Sequence, residues 1–337
     1  SPESKVYDVN KSIVLIDETN IKNIKMNFSK FIPLGNLINL NQIFKEMKLF
    51  FYSNGKNKYG FKNINITGST GVIHDRSFGT SPKDARRAYL EEYFLQRPGL
   101  NANIDQASTV EVQRALNRNW EALGTNMTTA LCTFATTGAG VLVTTATADQ
   151  DQGILTPHLD TAATAWAGTL WGTENSVHFE TSIQLPALDN QKVWAGLKLT
   201  NDQLVATDDD QMFFKYQSDA TNSEAFTDFA KWHFVHSIGG TDYISRLPIT
   251  VAANTPYHFK IEVDSDRKAA IFVNGIQYNV TTTSGSTGGT AVTTGTTKTA
   301  ALSNDVDLIP YVGIEAGAAA AEAVNVHYVA CSRNVYE

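Results

Sequence analysis

The stretch PYHFKIEVDSDRKAAIFVNGIQYNV, residues 256–280, decides the fold class. It reads as strand His258–Val263, a charged turn, strand Ala269–Val273, a two-residue turn Asn274-Gly275, and strand Gln277–Thr281. An Asn-Gly pair between β-prone runs is the signature of a tight hairpin, because both turn residues must adopt positive φ. Two consecutive hairpins of this kind belong to an antiparallel sheet, not to βαβ units.

Working outward, the same pattern recurs. Val177–Leu185 alternates, with Val177, Phe179, Thr181 and Ile183 on one face and His178, Glu180, Ser182 and Gln184 on the other. Val141–Thr145, Val193–Leu199, Gln211–Tyr216, Lys231–Ser237, Val306–Ile314 and Val324–Cys331 add further short strands separated by turn residues. The expected fold is therefore mainly β, an antiparallel sandwich from about Thr128 to the C-terminus. Thr282–Thr299, rich in Thr, Gly and Ser, reads as a long exposed loop between strands.

Upstream the signals change. Ser81, Pro82 and Asp84 resemble a helix start, and Ala85, Tyr89 and Tyr93 recur every four residues beside Leu90 and Phe94, up to the stop at Pro98-Gly99. A second helix is expected from Ser108, with Val112, Leu116, Trp120 and Leu123 as its apolar stripe. Residues 71–127 thus read as a helical linker whose sticky face, Tyr89, Leu90, Tyr93 and Phe94, must pack on the sandwich or on another subunit. Residues 1–70 carry ten lysines against five acidic residues, in a chain whose net charge is −7. This compositional break marks a small N-terminal arm or appended domain, with strands expected at Ser12–Ile16 and Phe61–Ile66 and a short helix at Leu40–Phe51.

The 256–280 hairpin resembles the penultimate hairpin of concanavalin A-like lectin/glucanase sandwiches. The longer strings VLVTTATADQDQGILTPHLDTAATAWAGTLWGTENSVHFETSIQL, VWAGLKLTN and ATDDDQMFFKY are similar to virion structural proteins of tailed phages, especially marine ones. So are RRAYLEEYFLQRPGLNANI and NWEALGTNM ahead of them. The resemblance spans roughly residues 78–335. It implies a jelly-roll particle component on the virion surface (a decoration, fibre or capsid-associated protein) whose partners are copies of itself and other virion proteins. A lectin domain that attaches to host glycans is the other function it implies.

The chemistry-bearing residues point away from catalysis. Glycan-cleaving members of this fold set acids at alternate positions of one strand, so that one attacks and another donates a proton. No such run occurs; Glu262, Asp264 and Asp266 sit at a charged turn beside Arg267. Asp208 and Asp210, with Asp202 nearby, form the densest acidic stretch and a candidate structural Ca²⁺ site, since Ca²⁺ takes hard oxygen ligands. Trp166, Trp171 and Tyr243 are candidate sugar-stacking rings, whereas Trp194 and Trp232 read as core. His158, His233, His236 and His327 fall in no catalytic motif, and Gly239-Gly240 lacks the residues of a phosphate loop. No cofactor is expected. The acidic balance, with a pI near 5.5, argues against nucleic acid. No apolar run approaches the about 20 residues of a membrane-spanning helix. Cys132 and Cys331 read as buried free thiols.

Overall fold

In the computed structural model, residues 51–53, 59–61, 87–95, 97–100, 120–135, 138–157, 170–218, 226, 228–285, 290–292 and 295–334 are described. A short antiparallel hairpin, β1 (Phe51–Ser53) and β2 (Tyr59–Phe61), belongs to a unit of its own. The other strands form a second unit. In chain order they are β3 (Arg87–Glu92), β4 (Gly99–Leu100), β5 (Glu121–Leu123), β6 (Cys132–Phe134), β7 (Val141–Thr144), β8 (Gln152–Thr156) and β9 (Trp171–Gly172). There follow β10 (His178–Gln184), β11 (Gln191–Lys198), β12 (Gln211–Gln217), β13 (Lys231–Ile238), β14 (Thr241–Thr250), β15 (Pro256–Val263) and β16 (Ala269–Val273). The last are β17 (Ile276–Tyr278), β18 (Thr290–Ala291), β19 (Asp307–Ala316) and β20 (Ala323–Asn334).

These strands make two sheets. The eight-stranded sheet runs β17-β16-β15-β10-β20-β7-β6, with β3 also on β20. The ten-stranded sheet runs β18-β14-β13-β12-β11-β19-β8-β5-β4, with β9 also on β19. Pairing is antiparallel except for the short parallel edges β14–β18 and β4–β5. The expected mainly-β jelly-roll sandwich is what the chain forms. The deciding hairpin is in place, with Asn274 at φ 51° and Gly275 at φ 77°.

The sheets close on an apolar layer supplied by alternate residues. Phe179 and Ile183 of β10, Phe259 and Ile261 of β15 and Val329 of β20 face Val193, Leu197, Met212, Phe214 and Trp232 of the other sheet, all fully buried. Phe214 stacks on Phe259 at 4.4 Å, and the Trp232 edge meets Phe259 at 4.7 Å. Rings locked between sheets add specific geometry to their large buried area. Cys132 and Cys331 are free and buried. Burial pushes the Cys132 thiol up to about 11, which keeps it protonated and inert.

Two expectations are corrected. The first helix is absent where residues are described, because Arg87–Glu92 is strand β3, paired with β20 from Glu92↔Val329 to Arg87↔Asn334. Leu90 and Phe94 enter the chain's own core, while Tyr89 and Tyr93 stay about 40% exposed on the opposite face. The second helix fails at its described end: Trp120 is buried in the core and Glu121–Leu123 is strand β5. The sandwich therefore takes strands from before Thr128. The Thr282–Thr299 loop is also pinned, by β18 alongside β14 and a bridge between Val280 and Thr296. The expected elements within 1–50, the helix start at Ser81 and the 108–119 stripe lie outside the described residues.

A chain beginning at Thr128 is thus expected not to fold, since it lacks β3–β5 and their core residues. A chain beginning at Arg86 keeps them and melts like the full chain. Leu90→Ala should destabilise by about 2–5 kcal/mol. Equal melting temperatures for the two truncations would show that β3 braces nothing.

Candidate functional site

The face of the ten-stranded sheet turned away from the core is built from the other half of each alternation. In β11, Val193, Ala195 and Leu197 point to the core, so Lys192, Trp194, Gly196 and Lys198 share the outer face. The register lines them up with neighbours. Gln217, Lys192, Glu315 and Gln152 form one row, and His233, Lys215, Trp194, Gly313 and Ile154 the next. Trp194 lies flat over Gly313, where an added Cβ would sit 2.3 Å from the indole. Its edge meets Tyr311, with ring centroids 6.4 Å apart.

This face is occupied by the chain itself. Trp194, Phe213, Val235, Ile244 and Tyr311 form a second apolar cluster, closed by Val205 and Phe226. Three lysines are buried in it, each no more than 1% exposed. Lys198 Nζ donates to Leu204 O at 2.8 Å and Gln211 Oε1 at 2.6 Å and sits 3.0 Å from Asp208 Oδ2. Lys215 Nζ donates to Gln203 O at 3.1 Å and Oε1 at 2.8 Å, and lies over the Phe226 ring at 5.3 Å. Lys192 Nζ is ion-paired with Glu315 Oε1; Gln203 Nε2 donates to the same oxygen at 3.4 Å, and Gln152 Nε2 donates to Glu315 Oε2 at 2.7 Å. A buried ammonium persists as a charge only where a carboxylate and further acceptors replace its water. Here segment 199–210 supplies most of those partners, so the lysines hold that segment down across the sheet.

The expected site residues end up apart. Asp208 spends its carboxylate on Lys198 and on the Thr200 hydroxyl, 2.8 Å away. Asp210 accepts from Gly239 N at 3.2 Å. The two do not converge, and no group of three His, Cys, Asp or Glu among the described residues has metal-binding geometry, so the Ca²⁺ expectation is replaced by a lysine. Trp171 is 1% exposed in the core and is no platform. Tyr243, in β14, stacks at 4.7 Å on buried His236, whereas Trp171 lies in β9 beside β19. Trp166 lies outside the described residues. Burial pushes His233 down to about 4 and His236 to about 3, so both are neutral packing groups near pH 7. Glu262 pairs with Lys260, and Asp264 caps its turn by accepting from Asp266 N and Lys268 N at 2.8 and 3.0 Å. Sequence reading missed the three buried lysines; their signal was the shared phase of Lys192, Trp194 and Lys198.

Among the described strands of the ten-stranded sheet, none sets two carboxylates two residues apart. The paired-acid arrangement of glycan hydrolysis is therefore not formed there.

No protein-family model matches the chain, and no curated protein matches it. Among solved structures it is similar to a protein of unknown function from Shewanella oneidensis MR-1, at 10% identity over 76% of this chain and 95% of that one, with a TM-score of 0.42. It is similar to the kappa-carrageenase from Pseudoalteromonas carrageenovora at 10% identity, over 77% and 100% of the two chains, with a TM-score of 0.39. A Caenorhabditis elegans galectin matches at 18% identity over 48% and 86%, with a TM-score of 0.27. Enzyme and lectin both occur among these neighbours, and likeness at this level carries no argument about activity.

Proposed function

We propose that the chain is a non-enzymatic structural protein that presents a lectin-like sandwich as a component of a virion. The observation that carries the non-enzymatic half is the closed outer face of the ten-stranded sheet. Its three lysines are locked onto Glu315, Asp208 and Gln203 under segment 199–210, and among the described strands of that sheet no two carboxylates stand two residues apart. An enzyme needs charged groups free to meet substrate, whereas these are consumed in holding the fold. The particle-building half is supported by the phage-like strings of the sequence and by the contrast between a lysine-rich N-terminal segment and an acidic whole. Opposite charges on two regions of one chain allow head-to-tail contact between copies, and copies of one chain mostly assemble symmetrically.

Three measurements test this. Incubated with β-glucans, galactans, carrageenan and alginate, the protein should release neither reducing nor unsaturated ends; release above a heat-inactivated control overturns the non-enzymatic reading. Light scattering after size exclusion should find the full chain as an oligomer and the chain from Arg86 smaller. A monomeric full chain overturns the assembly reading. Lys198→Met should destabilise by about 3–5 kcal/mol, because it strands the Asp208 carboxylate in the interior. Adding Asp208→Leu should restore much of the loss. An unchanged melting temperature in Lys198→Met would mean that segment 199–210 is not held by this pair.

A further inference from the structure

Lys198 and Gln211 are direct cross-strand partners at the end of the β11–β12 hairpin, so segment 199–210 leaves and returns between them. Side chains opposite one another on one face of a sheet hold their Cβ atoms roughly 4.5–5.5 Å apart, well within the combined reach of a lysine and a glutamine. Asp208, near the end of the same segment, turns back onto this pair. The three groups meet without water: the Lys198 and Asp208 side chains are 0% exposed and Gln211 is 1% exposed.

At Lys198 Nζ a carboxamide oxygen, Gln211 Oε1, lies 2.6 Å away and a carboxylate oxygen, Asp208 Oδ2, 3.0 Å away. The same nitrogen sits over the Phe213 ring, 4.8 Å from its centroid. A carbonyl bond is about 1.23 Å long, so Gln211 Cδ stands within about 3.8 Å of Nζ, near the roughly 3–3.5 Å from which reacting atoms close. The carboxamide is kept in this orientation, because its Nε2 donates to Val205 O at 2.6 Å and to Ser237 Oγ at 2.7 Å. Asp208 is fixed as well, accepting from the Thr200 hydroxyl at 2.8 Å and from Thr200 N at 3.3 Å. An amine, an amide carbon and an acid–base group held together in a dry site are the parts of an acyl transfer.

We infer that Lys198 and Gln211 join in an isopeptide bond that closes segment 199–210 at its base, with Asp208 as the proton acceptor. One Nζ proton passes to Asp208 Oδ2, which leaves a neutral amine and a neutral acid; burial disfavours charge on both partners and so favours this exchange. The Nζ electron pair attacks Gln211 Cδ, and the carbonyl π pair moves onto Oε1. A second Nζ proton passes to Nε2. The oxygen pair returns, the Cδ–Nε2 bond breaks and ammonia leaves. Asp208 keeps its proton, so the net charge of the group is zero before and after and no unpaired charge stays buried. Exclusion of water removes the competing hydrolysis. The reaction happens once per chain, which makes it a maturation of the fold and not turnover. It is independent of the virion reading, and a monomeric full chain would leave it intact.

Mass spectrometry of the folded full chain tests this. The intact mass should fall short of the mass of the sequence by one ammonia. Trypsin should spare the bond after Lys198, whose amine has become an amide, and release residues 193–215 as one peptide that carries the loss. Gln211→Met has no ammonia to give at this position; it should keep its full mass and be cut after Lys198, and so should Asp208→Ala. The wild-type mass decides the matter even where a variant does not fold. Full mass in the wild-type chain overturns the inference. So does an ammonia loss in a chain that trypsin still cuts after Lys198, which puts the loss on another amide. Loss of one water in place of ammonia would put Asp208 and not Gln211 in the bond, and overturns it equally.

Discussion

The final two long strands are the constraint on which the sandwich depends. β19 and β20 are neighbours in sequence, joined across residues 317–322, yet they lie in opposite sheets and near the middle of each. β19 takes β11 along one edge and divides the other between β8 and β9. β20 takes β10 on one edge and divides the other between β7 and β3. Without them each sheet falls into fragments that bury too little apolar surface to persist. Hairpins such as β12–β13–β14 and β15–β16–β17 can form locally, but joining them into complete sheets waits on pairings with β19 and β20, which makes those contacts long-range and folding slow by the usual topological relation.

The divided edge of β20 explains where sequence reading failed. Tyr89 and Tyr93 are four residues apart, and so are Leu90 and Phe94. A spacing of four fits one face of a helix and equally one face of a strand. The helical reading merges all four into a single stripe; the strand reading puts Tyr89 and Tyr93 on one face and Leu90 and Phe94 on the other. The structure shows the second arrangement, two rings outward and two apolar groups in the core. What decides it is not local: the half of β20 beyond β7 offers unpaired backbone groups, and pairing them outweighs a weak helix preference. β14 escaped for a related reason, since Thr241–Thr250 carries Arg246 and Pro248 and has no strong alternation. By contrast, β10 and β15 were legible within a residue or two because their burial alternates and period two shows through, and β12, β13 and β16 because their short β-branched and aromatic runs are bounded by turn residues.

The site was less legible than the fold. Alternation in KVWAGLK places Lys192, Trp194 and Lys198 on one face, and Trp194 read as core, but the pattern does not say what would satisfy buried lysines beside it. The structure buries three ammonium groups, matching Lys198 and Lys215 to acceptors from segment 199–210 and Lys192 to Glu315 of β19. Partner identity across such a gap is invisible in sequence, because Lys192 meets Glu315 from another strand altogether. The same holds for Asp208. An acidic run suggested a cation, and a cation is indeed what its carboxylate meets, supplied covalently by Lys198 rather than by calcium.

The two outer faces are thus opposites in physical character. On the ten-stranded sheet, charge is buried, paired and spent on holding segment 199–210 in place. On the eight-stranded sheet, polar groups are held from beneath by Tyr328 and Arg87 while Tyr89 and Tyr93 remain in contact with water. The same fold thus uses polar side chains in two ways: buried pairs pin a covering segment on one sheet, and partly buried ones brace the junction of β3 with β20 on the other.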